Sequence, residues 1–209
     1  MKIYDVTVPL SEKTPLYPGD PETIIEHRLS LAKGDGQNLT CLAFGAHTGT
    51  HVDAPHHFFE KGMKIHELPL ELLMGRTRVI GIGSRDRIGA DTFREQDLAD
   101  VNRVLFKTRN SYLWERGQEF VETYVYLTLD AASLLVKAGI KVVGIDYLSV
   151  DRYNYDQPEV HLKLLENGVI IIEGLNLREI EPGDYEMICL PLKVLNGDGA
   201  PARVILRRQ

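Results

Sequence analysis

Residues Thr123 to Gly174 read TYVYLTLDAASLLVKAGIKVVGIDYLSVDRYNYDQPEVHLKLLENGVIIIEG, and this stretch decides the fold class. Tyr124 to Leu129 predicts a strand, and Asp130 predicts the cap of a helix over Ala131 to Ala138 that Gly139 stops. Lys141 to Ile145 lacks polar alternation and predicts a strand buried on both faces. Glu159 to Glu166 predicts a helix ended by Gly168, followed by an apolar strand over Val169 to Ile172. Strand, helix, strand, loop, helix, strand implies parallel pairing through crossover connections.

Outward from that core, strands predominate. Lys2 to Val8 alternates with period two, and Leu39 to Phe44 predicts another short strand. Between them, Thr14-Pro-Leu-Tyr-Pro-Gly-Asp-Pro forces a turn-rich loop. Pro69 suits the first turn of a short helix ending at Gly75, with a strand over Thr77 to Ile82. Asp91 predicts a helix cap for a segment running to Asp100, and Val104 to Lys107 predicts a strand. Tyr185 to Leu192 and Ala202 to Leu206 form two more strands around the turn Asn196-Gly-Asp-Gly-Ala-Pro. The expectation is a mixed, strand-rich α/β fold in one domain covering residues 1–209.

Composition narrows the partners. A chain of 209 residues, 44% hydrophobic and 26% charged, fills one ordinary globular core. The formal net charge of -6 gives nucleic acid and anionic membranes no basic face. No apolar run approaches the roughly 20 residues that span a bilayer, and no apolar signal core follows Met1, so a cytoplasmic location is expected. Two cysteines, Cys41 and Cys189, are too few for a disulfide scaffold or a thiolate zinc site.

The chemistry concentrates in His47-Thr-Gly-Thr-His51-Val-Asp53-Ala-Pro-His56-His57, which holds four of the seven histidines. Gly49, the threonines, Val52 and Pro55 disfavour helix. In an extended chain, positions 47, 51 and 53 point the same way. His51 and Asp53 are then roughly 7 Å apart, which allows a shared ion. His47 stands about 13 Å from His51 if fully extended, and a bend at Gly45 or Gly49 closes the gap. His57 has the same parity beyond Pro55 and approaches the site without having to be a ligand. Imidazole and carboxylate donors without thiolate suit zinc, manganese or iron. Three such ligands leave an open position where water is acidified toward neutral pH.

The second half adds candidates. Glu173 ends a buried apolar strand, where an unpaired charge costs several kcal/mol. Strand carboxyl ends are also where ligands gather in parallel α/β sheets. Asp146 ends the preceding strand, with Ser149 and Asp151 beyond it, and His161 lies at the start of the helix before Glu173. His27 and His66 have no partner pattern and are expected to be packed or solvated rather than ligands.

The histidine-rich passage closely resembles the HxGTHxDxPxH signature of the cyclase-like metal-dependent hydrolases, the family that includes bacterial kynurenine formamidases. The resemblance runs nearly the whole chain, through Thr14 to Asp20, Gly144 to Asp151, His161 with Glu173, and Gly199 to Arg203. It implies a swivelling β/β/α-type fold and two divalent ions, most often zinc, with manganese in some relatives. His47 and His51 would bind one ion and His161 the other, with Asp53 and Glu173 bridging. His57 would be the proton donor and acceptor, and the chain would form homodimers or larger assemblies. The implied activity is arylformamidase, cleaving N-formyl-L-kynurenine to L-kynurenine and formate. Hydrolysis of a cyclic amide of the isatin type is the alternative, and a non-catalytic metal-binding homologue a third reading. Family formamidases carry Trp in the Pro-x-Trp-Pro-Gly-Asp loop. Tyr17 stands here instead, a smaller aromatic face for a small aromatic amide substrate.

Overall fold

The three-residue strand His51–Asp53 is paired on both edges, and that double pairing closes the main sheet into a ring. The computed structural model describes residues 2–93, 98–117 and 119–208. In chain order the strands are β1 (Lys2–Asp5), β2 (Ile24–Leu29), β3 (Leu39–Ala43) and β4 (His51–Asp53). The short helix α1 (Leu70–Leu73) precedes β5 (Met74–Gly81), β6 (Arg87–Ile88), β7 (Arg103–Lys107) and β8 (Tyr126–Leu127). Then come α2 (Leu129–Lys137), β9 (Val142–Ile145), α3 (Glu159–Glu166), β10 (Ile170–Glu173), β11 (Gly183–Pro191) and β12 (Gly199–Arg208).

The eight-stranded sheet has the order β1-β12-β11-β5-β7-β9-β10-β4, and β4 returns to pair with β12. Strands β5, β7, β9 and β10 are parallel neighbours, and the remaining pairs are antiparallel. Neighbouring side chains of the central strands enter two different cores, as a pleat requires. Leu105, Val142, Ile170 and Ile172 join one apolar cluster with Met187, Cys189 and Val204. Val104, Phe106, Val143, Ile145 and Ile171 join the other, with Leu135 of α2 and Leu164 of α3. Both faces of these strands are covered, which is why the sequence there shows no polar alternation. The result is the mixed, strand-rich α/β architecture expected. No helix among the described residues is long and apolar enough to cross a membrane.

Several local expectations shift. Tyr124–Leu129 shrinks to the two residues of β8, which pair with β6 outside the main sheet. The Asn110 side chain, fifteen residues before Val125, takes the role of a neighbouring strand. It accepts from Val125 N at 2.7 Å and donates to Val125 O at 2.8 Å. Thr128 rather than Asp130 caps α2, and Asp130 falls in its first turn. Residues 94–97 of the helix expected over Asp91 to Asp100 lie outside the described residues. The ends on either side, Asp91 to Phe93 and Leu98 to Asp100, are short turns.

Candidate metal centre

Strand register assembles the site. His51 of β4 stands directly opposite Glu173 of β10. Opposed residues in a pleated pair share a face with their Cβ atoms about 5 Å apart, so both side chains enter the same space. Asp53 lies two residues beyond His51 on that face. His51 Nε2 is 3.3 Å from Asp53 Oδ1 and 3.4 Å from Glu173 Oε2. His161, on the first turns of α3, brings Nε2 to 3.2 Å from Glu173 Oε1 and 3.5 Å from Asp53 Oδ2.

His47 precedes β4 in a turn, not in an extended run. Gly49 adopts a positive φ of 65° and supplies the bend. His47 Nδ1 thereby reaches 2.7 Å from Asp53 Oδ1. Thr50 holds the turn: its Oγ1 accepts from Val8 N and donates to Gly174 O. Gly199 leaves the room His47 needs, since a Cβ there would stand 2.7 Å from the His47 Cε1.

Each imidazole is tethered through its outer nitrogen. His51 Nδ1 lies 2.9 Å from Gly49 O, His161 Nδ1 2.5 Å from Asp151 Oδ2, and His47 Nε2 2.8 Å from Asp198 Oδ2. The inner nitrogens are thereby turned toward Asp53 and Glu173, the arrangement that outer partners impose on metal-binding histidines. Asp151 serves twice, because it also accepts from Val160 N and His161 N at the start of α3. Asp198 was legible only as part of a turn, and it also lies 3.4 Å from His57 Nδ1. His57 stacks on His47 with ring centroids 4.0 Å apart.

The electrostatics are severe. Burial works against charge at His51, yet Asp53 and Glu173 outweigh it and push the imidazole up to about 10. His161 is likewise raised well above its usual value against the cost of burial, by Glu173, Asp151 and Asp53. Asp53 is held well below the carboxylate range by His51, His161 and His47, although burial opposes this. His57 is the exception, lowered chiefly by burial and therefore neutral near pH 7.

Do these residues fit a divalent cation? Two buried atoms, His51 Nε2 and Asp53 Oδ2, have no hydrogen-bond partner. Ligand atoms of His51, Asp53 and Glu173 lie within 4.8 Å of one another, as do those of His47, Asp53 and His57. The donors are nitrogen and oxygen only. Buried acids that no lysine or arginine pairs among the described residues, and orphaned ligand atoms aimed at a common point, are what an ion would satisfy. The residues fit.

A cavity of about 490 Å³ opens over this cluster, lined by Tyr17, Asp20, His57, Phe58, Ser149, Arg152, Tyr153 and Glu173, among others. Tyr17 meets Phe120 edge-on at 5.4 Å and Tyr153 at 6.0 Å, so its ring belongs to an aromatic wall. Asp20, three residues after Tyr17 in the same loop, also lines the cavity, carried in by the Pro-Gly turn. His56 does not line this cavity, and its Nδ1 is buried without a partner. His27 and His66 lie apart from the cluster: His27 Nδ1 is 3.1 Å from Thr40 Oγ1, and His66 Nδ1 accepts from Asn196 N.

Fold and donor set together define a protein built around a divalent-cation pocket. The "Putative cyclase" family model matches residues 4–152, and the chain belongs to that family. It is 37% identical over 204 residues to the kynurenine formamidase of Geobacillus thermodenitrificans, covering 98% of this chain and 96% of that one. A solved structure described as a potential metal-dependent hydrolase with cyclase activity superposes with a TM-score of 0.81 at 36% identity, over 100% of this chain and 98% of the other. Isatin hydrolase A of Labrenzia aggregata, bound to benzyl benzoate, superposes with a TM-score of 0.83 over 98% and 93% of the two chains. At 22% identity that is a likeness of fold alone.

Proposed function

We propose that this chain is a metal-dependent arylformamidase that hydrolyses N-formyl-L-kynurenine to L-kynurenine and formate. The observation that carries the reading is the convergence of His51, Asp53, His161 and Glu173, from three separate elements, on orphaned donor atoms. The full-length likeness to a kynurenine formamidase supports the substrate.

His47 and His51 would hold one ion and His161 a second, with Asp53 and Glu173 shared between them; zinc fits this donor set, as does manganese. A divalent cation supplies a Lewis acid for the amide oxygen and a water acidified toward neutral pH. The residues do the rest. Neutral His57, with Nδ1 facing Asp198, has Nε2 free to take a proton from water and deliver it to the departing aryl amine. Tyr17, Phe58 and Tyr153 offer the aryl ring apolar faces and keep bulk water from it. Water adds to the formyl carbon, the C–N bond breaks, and the nitrogen leaves as a neutral amine.

Residues 1–209 act as one catalytic unit in this reading, since the site draws on positions from Tyr17 to Asp198. We place it in the cytoplasm, in keeping with unpaired Cys41 and Cys189. We also take it to be a homodimer or larger. The β2–β3 hairpin supports this, with β3 exposed along its whole length and Ile24, Leu39 and Leu42 uncovered.

His57→Ala tests the mechanism: kcat falls by about a hundredfold or more while metal content stays near that of the wild type. A variant that loses metal but keeps its turnover per bound ion overturns the proton-transfer role. Parallel assays on N-formylkynurenine and isatin, with and without chelator, decide between the open-chain and the cyclic amide.

A further inference from the structure

Arg152 is the one arginine or lysine among the residues lining the cavity over the metal centre. The other charged groups there are the acids Asp20, Asp151 and Glu173 and the imidazoles. Arg152 is exposed and forms no ion pair among the described residues. Its guanidinium lies 6.0 Å from the centroid of the Tyr126 ring. It is placed at a telling point in the chain, between Asp151, which tethers His161, and Tyr153, which meets Tyr17.

The same side chain also borders a neighbouring cavity of about 830 Å³, together with Arg85, Arg87 and Arg109. There, Arg109 is paired with Asp86 at 2.6 Å and Arg87 with Asp91 at 3.5 Å. Arg152 stands on the ridge between the two spaces without such a counter-ion. A guanidinium offers a planar fork matched to a carboxylate. Free carboxylates are also hard oxygen donors, which would compete for a bound cation if nothing held them elsewhere.

We propose that Arg152 is a specificity residue that takes the carboxylate at the end of the acyl chain borne by the substrate's aromatic ring, beside the amide. The amide then lies at the imidazoles and the aryl face against Tyr17 and Tyr153. The proposal rests on the aromatic-amide reading of this site and adds to it the residue that selects aryl formamides by their anionic tail.

The test uses the metal-loaded protein and the variants Arg152→Met and Arg152→Lys. The ratio of kcat/KM for N-formylkynurenine to that for formanilide should fall about tenfold in Arg152→Met, mainly through KM, and recover in part in Arg152→Lys. A ratio that stays put, with both substrates affected equally or not at all, overturns the proposal. Calorimetry supplies a second arm independent of turnover, comparing L-kynurenine with 2-aminoacetophenone, which has the same ring without the amino-acid tail. Wild type should prefer kynurenine and Arg152→Met should lose that preference. No preference in the wild type, or one that survives in Arg152→Met, overturns it. Should neither formamide be hydrolysed, the formamidase reading fails and the calorimetric arm still decides the role of Arg152.

Discussion

Two carboxylates, Asp53 on β4 and Asp146 just past β9, are both completely shielded from solvent, yet they sit in opposite chemical settings. Asp146 receives four neutral donors: Thr108 N and Oγ1, each at 2.8 Å, Ser111 N at 3.2 Å and Ser111 Oγ at 2.7 Å. Burial still pushes its carboxyl up, with Ser111 and Thr108 pulling the other way. Asp53 faces three imidazoles and keeps an oxygen without any hydrogen bond. Fully satisfied burial marks an acid that holds the chain together. Burial with an orphaned atom among ionisable neighbours marks an acid kept for something the chain itself does not contain.

The largest effect expected from this contrast is on Asp53. Asp53→Ala should remove bound metal and lower turnover by about a thousandfold or more, with the protein still folded. Metal analysis beside circular dichroism checks this, and full metal occupancy in the variant would break the contrast. Asp146→Ala should do the reverse. It strands the Thr108 and Ser111 amides and costs about 3 kcal/mol in urea unfolding, while metal per folded molecule stays the same. A metal-depleted Asp146→Ala of normal stability would erase the distinction.

A third acid sharpens the scale from the exposed end. Asp184 is lowered to about 2 by Arg78 and Arg76, at 2.7 Å each. Its folded value lies below its unfolded one, so the stabilisation is full above about pH 4 and is lost as the pH falls toward 2. Its side chain is 39% exposed, and screening keeps the gain below about 1 kcal/mol. Asp184→Asn should therefore lower the urea midpoint slightly at pH 7. The gap should narrow at pH 3 and in high salt; a gap that widens in acid would reverse the sign.

Much of this was legible in the sequence because it was local. Helix α3 runs from Glu159 to Glu166 as expected, bounded by Pro158 and by Gly168 at a φ of 68°. The bend that brings in His47 was readable from Gly49. The strand expected over Tyr124 to Leu129 failed because the amide of Asn110, fourteen or more residues away, satisfies Val125. No local pattern carries that information. Asp198 was hidden for a similar reason: Asn-Gly-Asp-Gly reads as a turn, and only the return of β12 alongside β4 brings its carboxylate to His47 and His57. The β2 strand has no buried face to betray it; it pairs with β3, and its Ile25 N donates to Glu12 Oε1.

The clasp that shuts the ring is also the piece of chain that bears His51 and Asp53. Slipping that clasp by one residue would turn both side chains to the opposite face and unseat two neighbouring strands at once. Chemistry and architecture are thus locked to a single register. Substitutions can reshape the rim of the cavity without touching that register, but none can relocate its floor and leave the ring closed.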